Sequence, residues 1–279
     1  MAIILITGGT GLLGPHLEAA CKSLGRTIVS GRSGGMYPCD LSDPSATRAL
    51  IAITNPDFVF HCAAMTDVDG CEREPRRANS VNCDAVCNIA NALPVERSLI
   101  YFSTDQVYPD DEGPHQETGA GPVNVYGKTK FDGELAVLER DKGLALRVNF
   151  FGPSLTFGRK SLSDWLIDNL RARNPIPLFT DSLFSPLHIE TLSQLAVEAA
   201  ALGLKGAFNL GCRDGASKYD FALAVASHMG LSTDGASPEP SSTIANRAQR
   251  PKDLRMDVGR IEKALGRLMP TLSEEVARL

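Results

Sequence analysis

The sequence predicts an α/β fold: a doubly wound parallel sheet with a smaller C-terminal lobe. Short apolar runs alternate with amphipathic stretches through the first half of the chain, the pattern of strand-helix units in a parallel sheet. A glycine-rich turn separates the first apolar run from the first amphipathic stretch. The length, 279 residues, suits one large α/β domain or one domain with a small appendage.

Ala2 to Ile6 reads as the first strand. Leu13, Leu17, Ala20, Cys21 and Leu24 then recur at helical spacing, with Gly25 as a stop. Arg26 to Ser30 is a second strand, and Asp43-Pro44 starts a helix, the proline sitting where a missing N–H costs nothing. Asp57 to His61, Ser98 to Phe102 and Leu144 to Asn149 are further strands, with helices expected over about Asn79–Ala92 and Tyr126–Arg140. Past Phe150 the rhythm changes. A helix carries Leu162, Trp165, Leu166 and Leu170, followed by a short strand near Ile176–Phe179, a helix around Thr191–Leu202 and a strand over Gly206–Gly211. A helix near Tyr219–Met229 and a Ser/Pro-rich stretch over Ser237–Ser242 complete an irregular lobe. Residues 1–150, with 180–212 returning to them, are expected to form the main domain. Residues 151–179 and 213–279 are expected to form the lobe that closes over the carboxyl ends of the strands, where ligands bind in such sheets.

Composition excludes several classes of function. Hydrophobic residues at 43%, charged ones at 22% and a net charge of -5 describe an ordinary globular protein with no basic surface for a nucleic-acid backbone. The first apolar stretch has no basic residue before it, unlike a signal peptide, and no run approaches the ~20 apolar residues that span a bilayer. Seven cysteines without a close C-x-x-C pair suit reduced thiols in the cytoplasm. Cys83 and Cys87 lie four apart on a predicted helix and read as buried thiols. His16, His61, His115, His188 and His228 match no ligand spacing, so no metal is expected.

Two constellations carry chemistry. Thr7-Gly8-Gly9-Thr10-Gly11-Leu12-Leu13-Gly14 places three glycines at intervals of three between a strand and a helix. A dinucleotide diphosphate needs backbone without Cβ close by and helix N–H groups aimed at it, so the fold is expected to be Rossmann-type. After the second strand, Ser30-Gly31-Arg32-Ser33 offers a guanidinium and hydroxyls where NAD-selective proteins place an acid. That favours the ribose 2'-phosphate of NADP(H), with NAD(H) an allowed second choice. Asp40 and Leu41 either flank the adenine or form a local turn.

The second constellation is Tyr126-Gly127-Lys128-Thr129-Lys130, preceded by Ser103-Thr104-Asp105 at a strand end. Residues four apart share a helix face, so Tyr126 and Lys130 are expected in one cleft. An ammonium near a phenol draws its pKa toward the working range, and a hydroxyl such as that of Thr104 can hold a carbonyl oxygen as negative charge develops on it.

The segments Thr7–Gly14, Cys62-Ala63-Ala64-Met65-Thr66, Phe102–Asp105, Asn124–Lys130 and Arg250-Pro251-Lys252-Asp253 occur in the order of the extended short-chain dehydrogenases/reductases. Within these the chain resembles the dTDP-4-dehydrorhamnose reductase (RmlD-like) family, and Gly133-Glu134 and Leu146-Arg147 also fit that family. The resemblance implies reduction of a 4-keto group on a nucleotide-linked deoxysugar by NADPH. Tyr126 would be the general acid, Lys130 would tune it and hold the nicotinamide ribose, and Thr104 would complete the triad. Gly8, Gly11, Leu12, Leu13, Gly14, Arg32, Asp40, Leu41, Cys62, Ala63, Ala64 and Asn82 would surround the cofactor; Thr104, Asn149 and Arg250 would meet the substrate, Arg250 at its diphosphate. A homodimer is an allowed assembly.

Two segments depart from the family. Val148-Asn149-Phe150-Phe151 stands where a tryptophan is usual, and Ser185-Pro186-Leu187-His188 replaces a proline-threonine pairing; both are expected where the sugar sits. Gln106 after Asp105 disfavours a dehydratase. A sugar-nucleotide epimerase and a non-catalytic dinucleotide-binding regulatory subunit are the alternatives, the second disfavoured by an intact Thr104, Tyr126 and Lys130.

Overall fold

In the computed structural model, which describes all 279 residues, the apolar runs become buried strands and the amphipathic stretches become helices laid against them. Strand β1 (Ala2–Thr7) leads through α1 (Gly14–Cys21), β2 (Gly25–Ser30) and α2 (Pro44–Thr54) to β3 (Phe58–His61). Helices α3 (Val68–Arg73), α4 (Pro75–Asn79) and α5 (Ala85–Ala92) precede β4 (Ser98–Phe102), α6 (Val125–Leu138) and β5 (Gly143–Val148). Next come β6 (Phe150–Phe151), α7 (Leu162–Ala172), β7 (Ile176–Phe179), β8 (Leu183–Phe184), β9 (Leu187–His188) and α8 (Ile189–Ala201). The chain ends with β10 (Gly206–Leu210), β11 (Ala216–Ser217), α9 (Lys218–Met229), β12 (Ala236–Glu239), β13 (Asp253–Leu254), α10 (Gly259–Leu265) and α11 (Leu272–Val276).

Six strands form one sheet in the spatial order β2, β1, β3, β4, β5, β10, and every pair is parallel. The chain runs outward from β1 to β2 on one side and through β3 on the other, so a crevice opens at the carboxyl ends of β1 and β3. Alternating side chains divide the core between the two faces. Ile4, Ile6 and Leu146 pack with Leu17, Ala196, Phe221 and Val225, so the sheet and the C-terminal lobe share one hydrophobic cluster. Leu5, Val59 and Leu99 pack on the other face with Leu50, Ile51, Ile89 and Val137. Asp43 caps α2, accepting from Ser45 N at 2.7 Å and Ala46 N at 3.3 Å, with Pro44 at the first helical position as expected.

A buried ion pair ties the sheet to α6. Arg147 on β5 and Glu134 on α6 are 2% and 0% exposed and meet at 2.6 Å. The second Glu134 oxygen accepts from Ser103 Oγ at 2.7 Å, and Arg147 Nη1 donates to Tyr108 Oη at 3.0 Å and to the Glu117 carbonyl at 2.7 Å. Tyr108 in turn donates to Asn209 on β10. Every charge is thus matched by hydrogen bonds, as burial requires.

The structure corrects several expectations. Gly25 does not stop α1, which ends at Cys21; it opens β2, where a Cβ would overlap the Ala2 carbonyl. The helix expected over Asn79–Ala92 begins earlier and is interrupted by a π-helical turn at Ser80–Asp84. Helix α3 has no counterpart in the sequence reading, because six residues are too few to show periodicity. The Ser/Pro stretch is partly a strand: β12 pairs in parallel with β7. The return to the main sheet begins later than residue 180, since β8 pairs with β11 and β13 in the lobe, while α8 packs on α1 and β10 joins β5.

Arg147→Leu leaves the Glu134 carboxylate buried without its cation and is expected to cost about 3–5 kcal/mol in urea unfolding, whereas the Glu134→Leu/Arg147→Leu double variant recovers most of that loss.

Candidate active site

The turn after β1 is shaped by steric necessity. Gly8 has φ +72°, and a Cβ there would overlap the Ala63 backbone nitrogen on the turn after β3. Gly14, the first residue of α1, packs so closely on Gly9 that a Cβ would overlap its carbonyl. Gly14, expected beside the cofactor, instead sets the strand-helix junction and does not line the cleft. Gly8 and Gly11 do line it. Thr7 Oγ1 and His61 Nδ1, 2.7 Å apart, hold the ends of β1 and β3 together beneath the turn.

A cavity of about 410 Å³ opens over this turn, lined by Gly8, Gly11, Arg32, Asp40, Leu41 and the Cys62–Met65 segment. Arg77 and Arg159 also face it; neither has a spacing signal that sequence reasoning could have used. Asp40 borders this cavity and accepts from Ser42 Oγ at 2.7 Å and Ser42 N at 3.0 Å in a local turn. Those hydrogen bonds, together with the charge of Arg32, hold its carboxyl below the usual range.

Asn82 lies elsewhere than expected. It is wholly buried on the π-helical turn, where its amide takes both the N–H and the carbonyl of Met65, at 2.8 and 3.1 Å, and reaches Thr129 Oγ1 at 3.1 Å. It braces the cleft wall against α6 and does not reach the cleft itself, because every polar atom of its side chain is engaged behind the wall.

A second cavity of about 480 Å³ shares Gly8, Gly11, Cys62, Ala64 and Arg159 with the first, and its walls include Leu12, Leu13, Thr104, Tyr126, Lys130 and Asn149. The shared helix face thus brings Tyr126 and Lys130 into one cleft. Asn124 caps α6, accepting from Gly127 N at 2.7 Å and donating to Gln106 Oε1 at 3.1 Å and the Gln249 carbonyl at 2.9 Å. Glu72 on α3 accepts from Val125 N at 2.8 Å. These bonds fix where the first turn of α6, and with it Tyr126, enters the cleft.

The electrostatics differ from expectation. Burial pushes the Tyr126 hydroxyl above its ordinary pKa, opposed mainly by a hydrogen bond with Thr104. Lys130 donates to the Phe102 carbonyl at 2.6 Å and lies 4.1 Å from the Tyr101 ring centroid, so its ammonium is committed to the strand end and not to the phenol. Burial brings the Lys130 amine down to about 7, against the pull of Cys62 and Glu134. Desolvation is the largest cause at both groups, and neither acts measurably on the other.

A third cavity of about 310 Å³ continues past Gln106, Asn149 and Leu162 into the lobe, between Trp165, Phe179, Phe184, Lys218, Arg247 and Arg250. Arg250 is there as expected, but Asp69 on α3 takes its two terminal nitrogens at 3.0 and 2.8 Å. Arg247, 5.3 Å from the Phe179 ring centroid, lines the same cavity and makes no ion pair. The Ser185–His188 segment departs from the expectation that it meets the sugar: it is buried beneath the cavity, with His188 N bonded to Glu275 at 2.6 Å.

The fit to a dinucleotide rests on the cradle: glycine backbone where a Cβ would strike the opposite turn, the first turn of α1 behind it, and arginines along one wall. The model of the RmlD substrate binding domain family matches residues 1–279. The dTDP-4-dehydrorhamnose reductase of Mycolicibacterium smegmatis is 32% identical over 89% of this chain and 76% of its own. Methionine adenosyltransferase 2 subunit beta of Mus musculus is 30% identical over 93% of this chain and 81% of its own. The crystal structure of dTDP-4-dehydrorhamnose reductase from Bacillus anthracis in complex with NADP superposes with a TM-score of 0.91 at 23% identity, covering 99% of this chain and 98% of that one.

The hydrogen bond from Arg250 holds the Asp69 carboxyl down to about 2. A carboxyl depressed by folding stabilises fully above its unfolded value near ~4 and loses that contribution as pH falls toward the folded value. The difference in urea midpoint between the wild type and Asp69→Asn is therefore expected to be constant from pH 7 to about 5 and to narrow below about 4; a difference that widens there contradicts the assignment.

Proposed function

The chain belongs to the RmlD substrate binding domain family, and on that premise we propose that it is an NADPH-dependent reductase of a 4-keto group on a nucleotide-linked deoxysugar, dTDP-4-dehydrorhamnose reductase-like. The observation that carries the reading is the single cleft at the strand ends in which the glycine turn, Thr104, Tyr126 and Lys130 all share a wall. Bound NADPH supplies the hydride. The protein supplies position, a proton and electrostatics.

Gly8, Gly11, Leu12 and Leu13 receive the diphosphate and ribose, with Cys62, Ala63 and Ala64 forming the opposite wall. Arg32 faces the 2'-phosphate, which favours NADP(H) while leaving NAD(H) usable. Thr104, whose hydroxyl donates to Asp105 in the structure, would turn that proton to the substrate carbonyl oxygen. As hydride reaches the carbonyl carbon, Tyr126 gives its proton to that oxygen and is later reprotonated from solvent. Burial suits this direction of reaction, since a phenol with a raised pKa keeps its proton until an alkoxide, a stronger base, forms beside it. Lys130 serves the nicotinamide ribose hydroxyls from its place at the end of β4. In the lobe, Arg247 faces the substrate diphosphate, and Arg250, held by Asp69, stands behind it. Residues 1–150 with 180–212 thus form the cofactor half and 151–179 with 213–279 the substrate half, apart from β8. Seven free thiols suit a reducing cytoplasm.

The deciding test is a screen of keto-sugar nucleotides against NADPH and NADH, following absorbance at the cofactor band together with product structure. Oxidation of NADPH by a dTDP-4-keto-6-deoxysugar supports the reading; if no keto-sugar nucleotide is reduced, it falls. Tyr126→Phe is expected to lower kcat by about 100-fold or more while NADPH affinity, measured by fluorescence titration, stays within about twofold. Arg32→Ala is expected to weaken NADPH about tenfold and leave NADH almost unchanged, because only the former carries the 2'-phosphate.

A further inference from the structure

Lys218, the first residue of α9, brings an amine into the substrate cavity that the reaction just described does not use. Its Nζ lies 3.1 Å from the centroid of the Phe184 ring and makes neither a hydrogen bond nor an ion pair. The nearest acid acting on it is Asp105, with which it forms no direct pair. Asp105 is 1% exposed and lines the neighbouring cavity, where it accepts from Asn149 Nδ2 at 2.6 Å and from Thr104 Oγ1 at 3.2 Å. Asn149 borders both cavities, so the ammonium and the carboxylate flank the passage between them.

This arrangement selects by chemistry. A donor-only cation and an acceptor-only anion held apart across a gap are both satisfied by a group that accepts from one and donates to the other. A hydroxyl does so. A carboxylate would satisfy Lys218 but be repelled by Asp105, and a diphosphate is better met by Arg247 at the far end of the cavity. Thr104 Oγ1 donates to Asp105 in the structure, and on the proposed function that proton would turn to the reacting carbonyl oxygen, which would set the Asp105 side of the gap beside the reacting carbon.

We propose that Lys218 is a specificity-determining residue that, together with Asp105, grips the sugar hydroxyl on the carbon next to the reacting carbonyl. The inference rests on the reductase reading for its substrate class. It assigns the choice of sugar to a position on α9 in the lobe.

The test uses the full-length protein saturated with NADP and isothermal titration with two ligands, a dTDP-6-deoxyhexose bearing the C3 hydroxyl and its 3-deoxy counterpart. The wild type is expected to bind the hydroxylated sugar about tenfold more tightly, the usual size of a hydrogen bond to a charged group. Lys218→Met, which keeps the apolar stem, should reduce that preference to within about twofold while leaving affinity for the 3-deoxy sugar unchanged; Lys218→Leu, which likewise has no donor, should do the same and serves if the methionine variant folds poorly. A preference that survives both substitutions, a wild type with no preference, or equal loss of both ligands overturns the proposal. NADPH turnover of the corresponding 4-keto sugars on the same samples separates the two readings. Discrimination in binding without turnover overturns the reductase alone, and turnover without discrimination overturns the role of Lys218 alone.

Discussion

The buried pair between Glu134 and Arg147 is the interaction on which the cleft depends. It joins α6, which carries Tyr126 and Lys130, to β5, and through Ser103 it reaches the residue beside Thr104. Through Tyr108 and Asn209 it extends to β10, the outermost strand. An ion pair this deep repays its desolvation only when every remaining lone pair and proton is matched. That demand for complete matching fixes the relative positions of three strands and a helix more narrowly than apolar packing alone would.

Once that framework is set, the cleft divides its labour by dielectric. Tyr126 sits where burial favours the neutral phenol, the form that the proposed reduction calls for. Charge is placed around it in distinct groups: Arg32, Arg77 and Arg159 along the cofactor wall, Lys130 at the strand end, and Lys218 with Arg247 in the lobe. The short helix α3 connects these regions. Its Glu72 caps the helix that carries Tyr126, and its Asp69 anchors Arg250 from the lobe. A six-residue helix thereby couples the position of Tyr126 to the position of the C-terminal lobe.

Much of this was legible in the residues themselves. The parallel sheet follows from the repeated pattern of apolar runs and amphipathic stretches, and the glycine turn announces itself by three glycines at intervals of three between a strand and a helix. Tyr126 and Lys130 were placed in one cleft by helical spacing alone. The family resemblance implies that Asn82 and Gly14 surround the cofactor, whereas in the structure Asn82 is engaged behind the cleft wall and Gly14 packs on Gly9, since sequence marks that a residue matters near a site and not which side of the wall it occupies.

What the sequence by itself determined is therefore periodicity and sterics: the parallel sheet, the dinucleotide turn, the face shared by the phenol and the amine. Only the tertiary structure decided the electrostatics and the long-range pairing. Whether Lys130 speaks to Tyr126 or to the Phe102 carbonyl, whether Arg250 or Arg247 pairs with Asp69, and whether Lys218 lines the cavity all depend on groups far apart in the chain. Local propensity is a property of neighbouring residues, but desolvation and pairing are properties of an enclosed volume, and that volume exists only after the chain has folded.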